Sequence, residues 1–160
     1  MHTHPALAEV RTRLVMVLNL VVPPALSIGM VAGSARRVAT VASGSFDSSL
    51  EHLGAGVCRG GVDWISEDAQ GTVSLDARVV LETNAGAAIL MSYRGVRHTS
   101  KAVAARLANG DDVDPAEYYF RTSPRFETAA PELEWLNNCL YIGLGHKRPD
   151  GVAYSVFEVL

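Results

Sequence analysis

The stretch LDARVVLETNAGAAILMSYRG, residues 75–95, decides the fold. Leu75, Ala77, Val79 and Leu81 fall on one side of its first half, and Asp76, Arg78, Val80 and Glu82 on the other. That period of two belongs to a strand with one buried face. TNAG follows, then a second apolar run over 87–94, so the stretch reads as two antiparallel strands joined by a short loop. Similar short runs recur along the chain, at 11–22, 36–43, 53–59, 72–82, 117–122, 137–145 and 151–159. Gly60-Gly61, Glu67-Asp68 and Pro149-Asp150-Gly151 punctuate them. One stretch has helical spacing: in SKAVAARLANG, residues 100–110, Ser100 can cap, Val103 and Leu107 are four apart, and Asn109-Gly110 can end the helix. A weaker helical turn covers 131–136. Many strands with one short helix near 100–109 predict an all-β fold, an antiparallel β-barrel of roughly eight or more strands, closed or nearly so. No linker or repeat divides the chain, so residues 1–160 are expected to form a single domain.

Composition narrows the function. The chain is 48% hydrophobic and 19% charged, which suits a globular protein with a sizeable core. Its net charge is −3, its lysines are only Lys101 and Lys147, and no basic run exists, so no nucleic-acid partner is expected. Cys58 and Cys139 form no CxxC pair and sit in apolar company, which suggests free thiols in a reducing cytoplasm. Residues 14–35 are uncharged and imitate a secretory signal. Pro23 and Pro24 break them, however, and Val15, Val17, Val21 and Val22 favour a strand, so neither a leader nor a membrane span is expected.

The chemistry-bearing residues point away from cofactors. There is no P-loop, dinucleotide fingerprint, GxSxG elbow or HExxH, and His2 and His4 offer at most adventitious metal binding, so no metal and no cofactor is expected. What remains is a set of acids, bases and donors. Asp63, beside Trp64 after two glycines, is either a carboxyl of raised pKa or an acceptor that fixes a turn. Asp76 and Arg78 are either a substrate clamp or an ion pair on the barrel. His98 is either an acid/base near neutral pH or a residue at a helix start. In EYYFRTSPRFET, residues 117–128, alternation puts Tyr119 and Arg121 opposite Phe120. Arg94, Arg97, Arg121 and Arg125 together suit a carboxylate or enolate oxygen, and Tyr119 can donate to the same oxygen. Glu127 can hold Arg121 or Arg125 in place. Trp135 offers an apolar wall and Asn137 an oriented amide, though both equally suit a core. If 135–141 is extended, Trp135, Asn137, Cys139 and Tyr141 share a face.

Several of these pieces occur in a fixed order: Pro23-Pro24 … Gly29, Arg36-Arg37 before Ser43-Gly44-Ser45-Phe46, GGVDW (60–64), residues 75–95, RGVRHTS (94–100), VDPAEYYFRTSPRFETAAP (113–131), WLN (135–137) and a closing Tyr154 with VFEV (156–159). In this the chain resembles the family of small proteins called domain of unknown function 3237 (DUF3237, UPF0311). The resemblance implies a compact barrel of the allene-oxide-cyclase, dirigent or lipocalin type, association as a homo-oligomer (most simply a dimer), and a first strand with its following loop over 11–35. It assigns no reaction. The chain departs from the family pattern between Phe46 and Gly60, where Arg59 stands in place of a common proline, and in its unusually apolar first strand. Those apolar positions imply an apolar ligand if they face a cavity and a subunit contact if they face outward.

A dry barrel interior needs only positioned acids, bases and donors to isomerise, cyclise or cleave a small carbonyl compound. The expected function is therefore a cofactor-independent enzyme acting on a small apolar or aromatic metabolite. Asp63, then Asp76, would be the acid/base, Arg78, Arg121 and Tyr119 the oxyanion donors, and Trp135 and Phe120 the walls, with Trp64, Arg94, His98, Glu127 and Asn137 nearby. The alternatives are a carrier of a small hydrophobic ligand, or a structural or assembly subunit whose barrel is filled.

Overall fold

A computed structural model describes residues 9–160; His2 and His4 lie outside them. The strands are β1 (Thr12–Val21), β2 (Leu26–Val31), β3 (Ser34–Val41), β4 (Ser43–Asp47), β5 (Gly56–Glu67), β6 (Val73–Thr83), β7 (Ala88–His98), β8 (Tyr119–Glu127), β9 (Tyr141–Arg148) and β10 (Gly151–Val159). One α-helix, α1 (Lys101–Ala108), lies between β7 and β8, and 3-10 turns cover Pro115–Glu117 and Pro131–Asn138. All pairings are antiparallel. The sheet runs β2-β3-β5-β4-β1-β10-β9-β8-β7-β6 and closes through β5–β6, giving a closed eight-stranded barrel with two extra strands. The long β5 makes this possible: its start pairs with β4 and its remainder with β3.

The expected hairpin is β6–β7, with Leu81 opposite Ile89 and Leu75 opposite Gly95. Leu75, Ala77, Val79 and Leu81 all point inward and are buried. The helix also forms where its caps place it: the Ser100 side chain accepts the Val103 N–H, and the chain leaves the helix through Asn109 and a left-handed Gly110.

Three expectations need correction. Residues 26–31 form a strand, not a loop, because the chain turns at Pro23-Pro24 and returns along β3. Residues 131–138 are a 3-10 helix, which bears out the helical turn expected over 131–136; the strand expected over 137–145 therefore starts only at Tyr141, and Trp135, Asn137, Cys139 and Tyr141 do not share an extended face. Gly60-Gly61 does not end a strand. It lies inside β5, where the register shifts between Cys58 and Gly60 against β6. Gly60 has φ +121°, a backbone that side chains resist. The shift changes which parity faces in: Cys58 is inward before it, and Asp63 is inward after it. Without the bulge Trp64 would enter the core and Asp63 would meet solvent.

A Cβ on Gly61 would strike the Arg78 carbonyl and lie 2.7 Å from Val79 Cα, so the two strands would have to part. Gly61→Val is expected to destabilise the fold by about 3 kcal/mol, read as a lower urea midpoint. An unchanged midpoint would mean that this close approach does not exist.

The barrel is filled for most of its length. Tyr154 is fully buried, with its ring 5.3 Å from that of Tyr93 and 5.5 Å from that of Phe120. Phe126 packs edge-on against Tyr141 at 4.9 Å. At one end Leu133 and Leu136 of the 3-10 helix are buried in the same core as Phe126 and Leu53. The other end, below α1, stays open. Among the described residues no helix is long and apolar enough to cross a membrane. Cys58 is buried, Cys139 is half-buried, and both are free thiols.

Candidate functional site

The open end holds a cavity of about 830 Å3, walled by the chain after β1 (Val22 to Ala25), the ends of β3, β5, β6, β7 and β9, and one face of α1. Its apolar lining includes Val22, Pro23, Ile65, Leu75 and Leu107; its charged lining is Arg37, Glu67, Asp68, Arg97, Lys101 and Lys147. Parity places the charges there. Arg97 follows Tyr93 and Gly95 on the inward face of β7, and Lys147 follows Gly143 and Gly145 on that of β9.

The acids of the cavity are already engaged. Glu67 accepts from Arg37 at 2.7 Å, and Asp68 accepts the Gln70 and Thr72 N–H groups at 2.9 Å each. Arg97, by contrast, makes no ion pair among the described residues. Its guanidinium lies 5.9 Å from the centre of the Phe120 ring. Burial lowers its pKa first, then the positive charge of Arg37; Glu67 offsets part of this. Lys147 donates to the Arg148 and Gly151 carbonyls at 2.7 and 3.0 Å. Burial, then Arg97, lowers its pKa as well. Two half-buried cations thus lie in each other's field, and neither is in an ion pair among the described residues.

Asp63 sits one pleat deeper than Ile65 on β5, between Ala39 and Ala77 of its neighbours. It is 7% exposed and does not line the cavity itself. Its Oδ1 accepts the Asp76 N–H at 3.2 Å. Burial pushes its carboxyl from 3.8 up to about 6, more than that hydrogen bond and the nearby Arg97 pull it down. Tyr93, across Ala77 at the same level, and Tyr154 have hydroxyls 3.5 Å apart, and burial raises both phenols, with Asp63 adding to the shift. The arrangement is a poised carboxylic acid beneath a cationic mouth.

Of the residues read from sequence, Asp63, Arg97 and Phe120 are on the inner wall. Asp76 lies outside on β6, 3.8 Å from both Arg78 and Arg94, all three substantially exposed, which is the ion-pair arrangement. Trp64 pairs across from Asp76 on that outer face. Tyr119 is 53% exposed, with the Arg121 guanidinium 5.0 Å from its ring centre, so neither reaches Asp63. His98 contacts Thr72 Oγ1 at 3.2 Å on the outside of the rim. Glu127 is exposed and holds neither Arg121 nor Arg125. At the far end Trp135 lies beneath Arg13 at 5.8 Å, while Asn137 exchanges hydrogen bonds with the Thr128 backbone. The cavity instead assembles Arg97, one of the four arginines considered, with Arg37 and Lys147, which sequence reasoning missed. The missed signal was a charge on the apolar parity of a strand: Met91, Tyr93, Gly95, then Arg97.

The comparisons with known proteins agree with this architecture. The family model described as "Protein of unknown function (DUF3237)" matches residues 10–159. A UPF0311 protein of Rhodopseudomonas palustris is 30% identical over 149 residues, 93% of this chain and 96% of that protein. A crystal structure of a conserved protein of unknown function from R. palustris superposes with a TM-score of 0.89 at 27% identity, covering 95% of this chain and 99% of that one. A β-barrel-like protein of Acinetobacter baumannii gives 0.82 at 28% identity, with both chains fully covered. Barrel, closing register and motif order converge: the chain belongs to the DUF3237 family.

Proposed function

We propose that the protein is an enzyme that moves a proton on a small carbonyl-type metabolite held in the end cavity, with Asp63 as the general acid/base. Isomerisation, cyclisation and elimination all need such a step. The observation that carries the reading is the buried Asp63 carboxyl, raised to about 6 beneath the unpaired Arg97. A carboxyl of that pKa both gives and takes a proton near neutral pH. Arg97 supplies the positive charge that a developing enolate oxygen requires. Val22, Ile65, Leu75 and Leu107 supply the apolar part of the lining, and α1 forms one wall.

The test is exchange of carbon-bound protons with D2O, followed by NMR, over a panel of small aryl ketones and β-keto acids with wild-type protein and Asp63→Asn. The wild type should accelerate exchange in at least one compound and the variant should not. Equal rates would defeat the reading.

A second reading, a carrier that holds its ligand unchanged, draws on one observation: Asp63 lies below the cavity floor rather than in it. Under that reading both proteins bind the same compounds and neither exchanges protons.

A further inference from the structure

The charge balance of the end cavity specifies more than a pocket. Its four cationic side chains are Arg37, Arg97, Lys101 and Lys147, and its two acids are Glu67 and Asp68. Glu67 is spent on Arg37, and Asp68 on its own turn. Arg97 and Lys147 are left as a half-buried pair that makes no ion pair among the described residues, with Glu67 and Asp150 acting on them only at longer range. Burying like charges side by side costs stability unless an anion completes the set.

The donors also favour one kind of anion. Lys147 keeps two of its hydrogens on backbone carbonyls, leaving a single direction for an outside acceptor. Arg97 has its whole planar fork free, and that fork matches a carboxylate through two parallel bonds. One face of the fork is already covered by the Phe120 ring, so the ligand meets its edge. Beyond the head group Pro23, Leu75 and Leu107 form one apolar stretch of a wall that is otherwise mixed, and that stretch suits a hydrocarbon or aryl body.

We propose that the substrate carries a carboxylate, bound between Arg97 and Lys147, with an apolar body lying against Leu75, Leu107 and Pro23. This deepens the preceding reading and rests on the end cavity being the ligand site. Lys147 and Arg97 are then specificity-determining residues: they select the acid over its amide or ester and hold the reacting carbon above Asp63.

Calorimetric titration with benzoate, benzamide and inorganic phosphate tests this on the full chain, using wild type, Arg97→Met, Lys147→Met and Asp63→Asn. Each variant is first checked for native circular dichroism, and Arg97→Lys, which keeps the charge but not the fork, is the conservative control. Benzoate should bind wild type about tenfold or more tighter than the uncharged benzamide. Arg97→Met should weaken benzoate by about tenfold or more while leaving benzamide unchanged, with Arg97→Lys in between. Asp63→Asn should bind benzoate at least as tightly, since a nearby negative charge is removed. No benzoate binding, equal binding of benzoate and benzamide, or an Arg97→Met protein that binds benzoate like wild type overturns the carboxylate assignment. Phosphate binding as tight as benzoate overturns the apolar-body part. If Asp63→Asn exchanges substrate protons normally while Arg97→Met has lost benzoate, the proton-transfer reading fails and the carboxylate site stands.

Discussion

Asp63→Asn is expected to yield a protein that is more stable than wild type at pH 8 and no more stable at pH 3.5, and that has lost proton transfer at every pH. Unfolded, the Asp63 carboxyl releases its proton near 3.8; folded, it keeps it to about 6. Between those values the native state binds more protons than the unfolded state, so this group's contribution makes stability fall as pH rises. Above the folded value the deficit is constant, on the order of 2–3 kcal/mol. Below the unfolded value both states are protonated and the deficit vanishes. Asparagine keeps an oxygen to accept the Asp76 N–H and never ionises. Its melting temperature should therefore exceed that of wild type at pH 8 by roughly 2–4 °C for each kcal/mol recovered. The activity should fall by about 10²–10⁴, the usual worth of a positioned acid or base. Melting curves at the two pH values check the first part, and the D2O exchange rate checks the second. A variant less stable than wild type at pH 8 would mean that Asp63 is a structural acceptor whose charge is satisfied. A side chain that weakens the fold in its working form is easier to explain by function than by packing.

Tyr154→Ala should cost about 3–5 kcal/mol, the loss expected on truncating a fully buried aromatic. The ring fills the barrel axis between Tyr93 and Phe120, and Gly145 on the neighbouring strand leaves no atoms able to move into the gap: a Cβ there would already lie 2.6 Å from the Phe120 ring. Tyr154→Phe is the control. It keeps the ring and removes one hydroxyl whose contact with Tyr93 is long, at 3.5 Å, so it should cost no more than about 1 kcal/mol. Urea unfolding of both variants separates the two effects. Similar, small losses would show a barrel that is hollow at this level, with the cavity running down to Asp63.

The fold was legible because alternation is a local signal. In residues 75–95 parity alone gives two strands, their faces and the turn between them, and the helix caps at Ser100 and Gly110 are equally local. The strands that escaped notice are those whose pattern is not alternating. β2 is exposed along its length, although Leu26, Ile28, Met30 and Val31 are apolar, so burial leaves no rhythm in it. β4 is Ser-Gly-Ser-Phe-Asp, which reads as a turn until β1 and β5 are placed on either side of it. The 3-10 helix at 131–138 carries an even-spaced Trp135, Asn137, Cys139 that looks extended in one dimension.

The site was legible only in part, and the reason is closure. Asp63 stands out in the sequence beside its glycines, but a Gly-Gly pair by itself points to a turn. Recognising them as a bulge that reverses the parity of β5 requires the register with β6. Tyr119, Arg121, Asp76 and Arg78 drew attention through their chemistry, yet each sits on the polar parity of its own strand and faces outward. Arg97 and Lys147 carry the opposite signature, a charge on the inward parity, and their meeting depends on β7 and β9 both flanking β8. No spacing within either strand contains that fact.

The central claim is that Asp63 is a proton-exchanging carboxyl held beneath a cationic mouth. Its most direct test is a carbon-13 NMR titration of the Asp63 side-chain carboxyl in the folded wild-type protein. The predicted midpoint is about 6. A midpoint at the ordinary aspartate value near 3.8 would contradict the account.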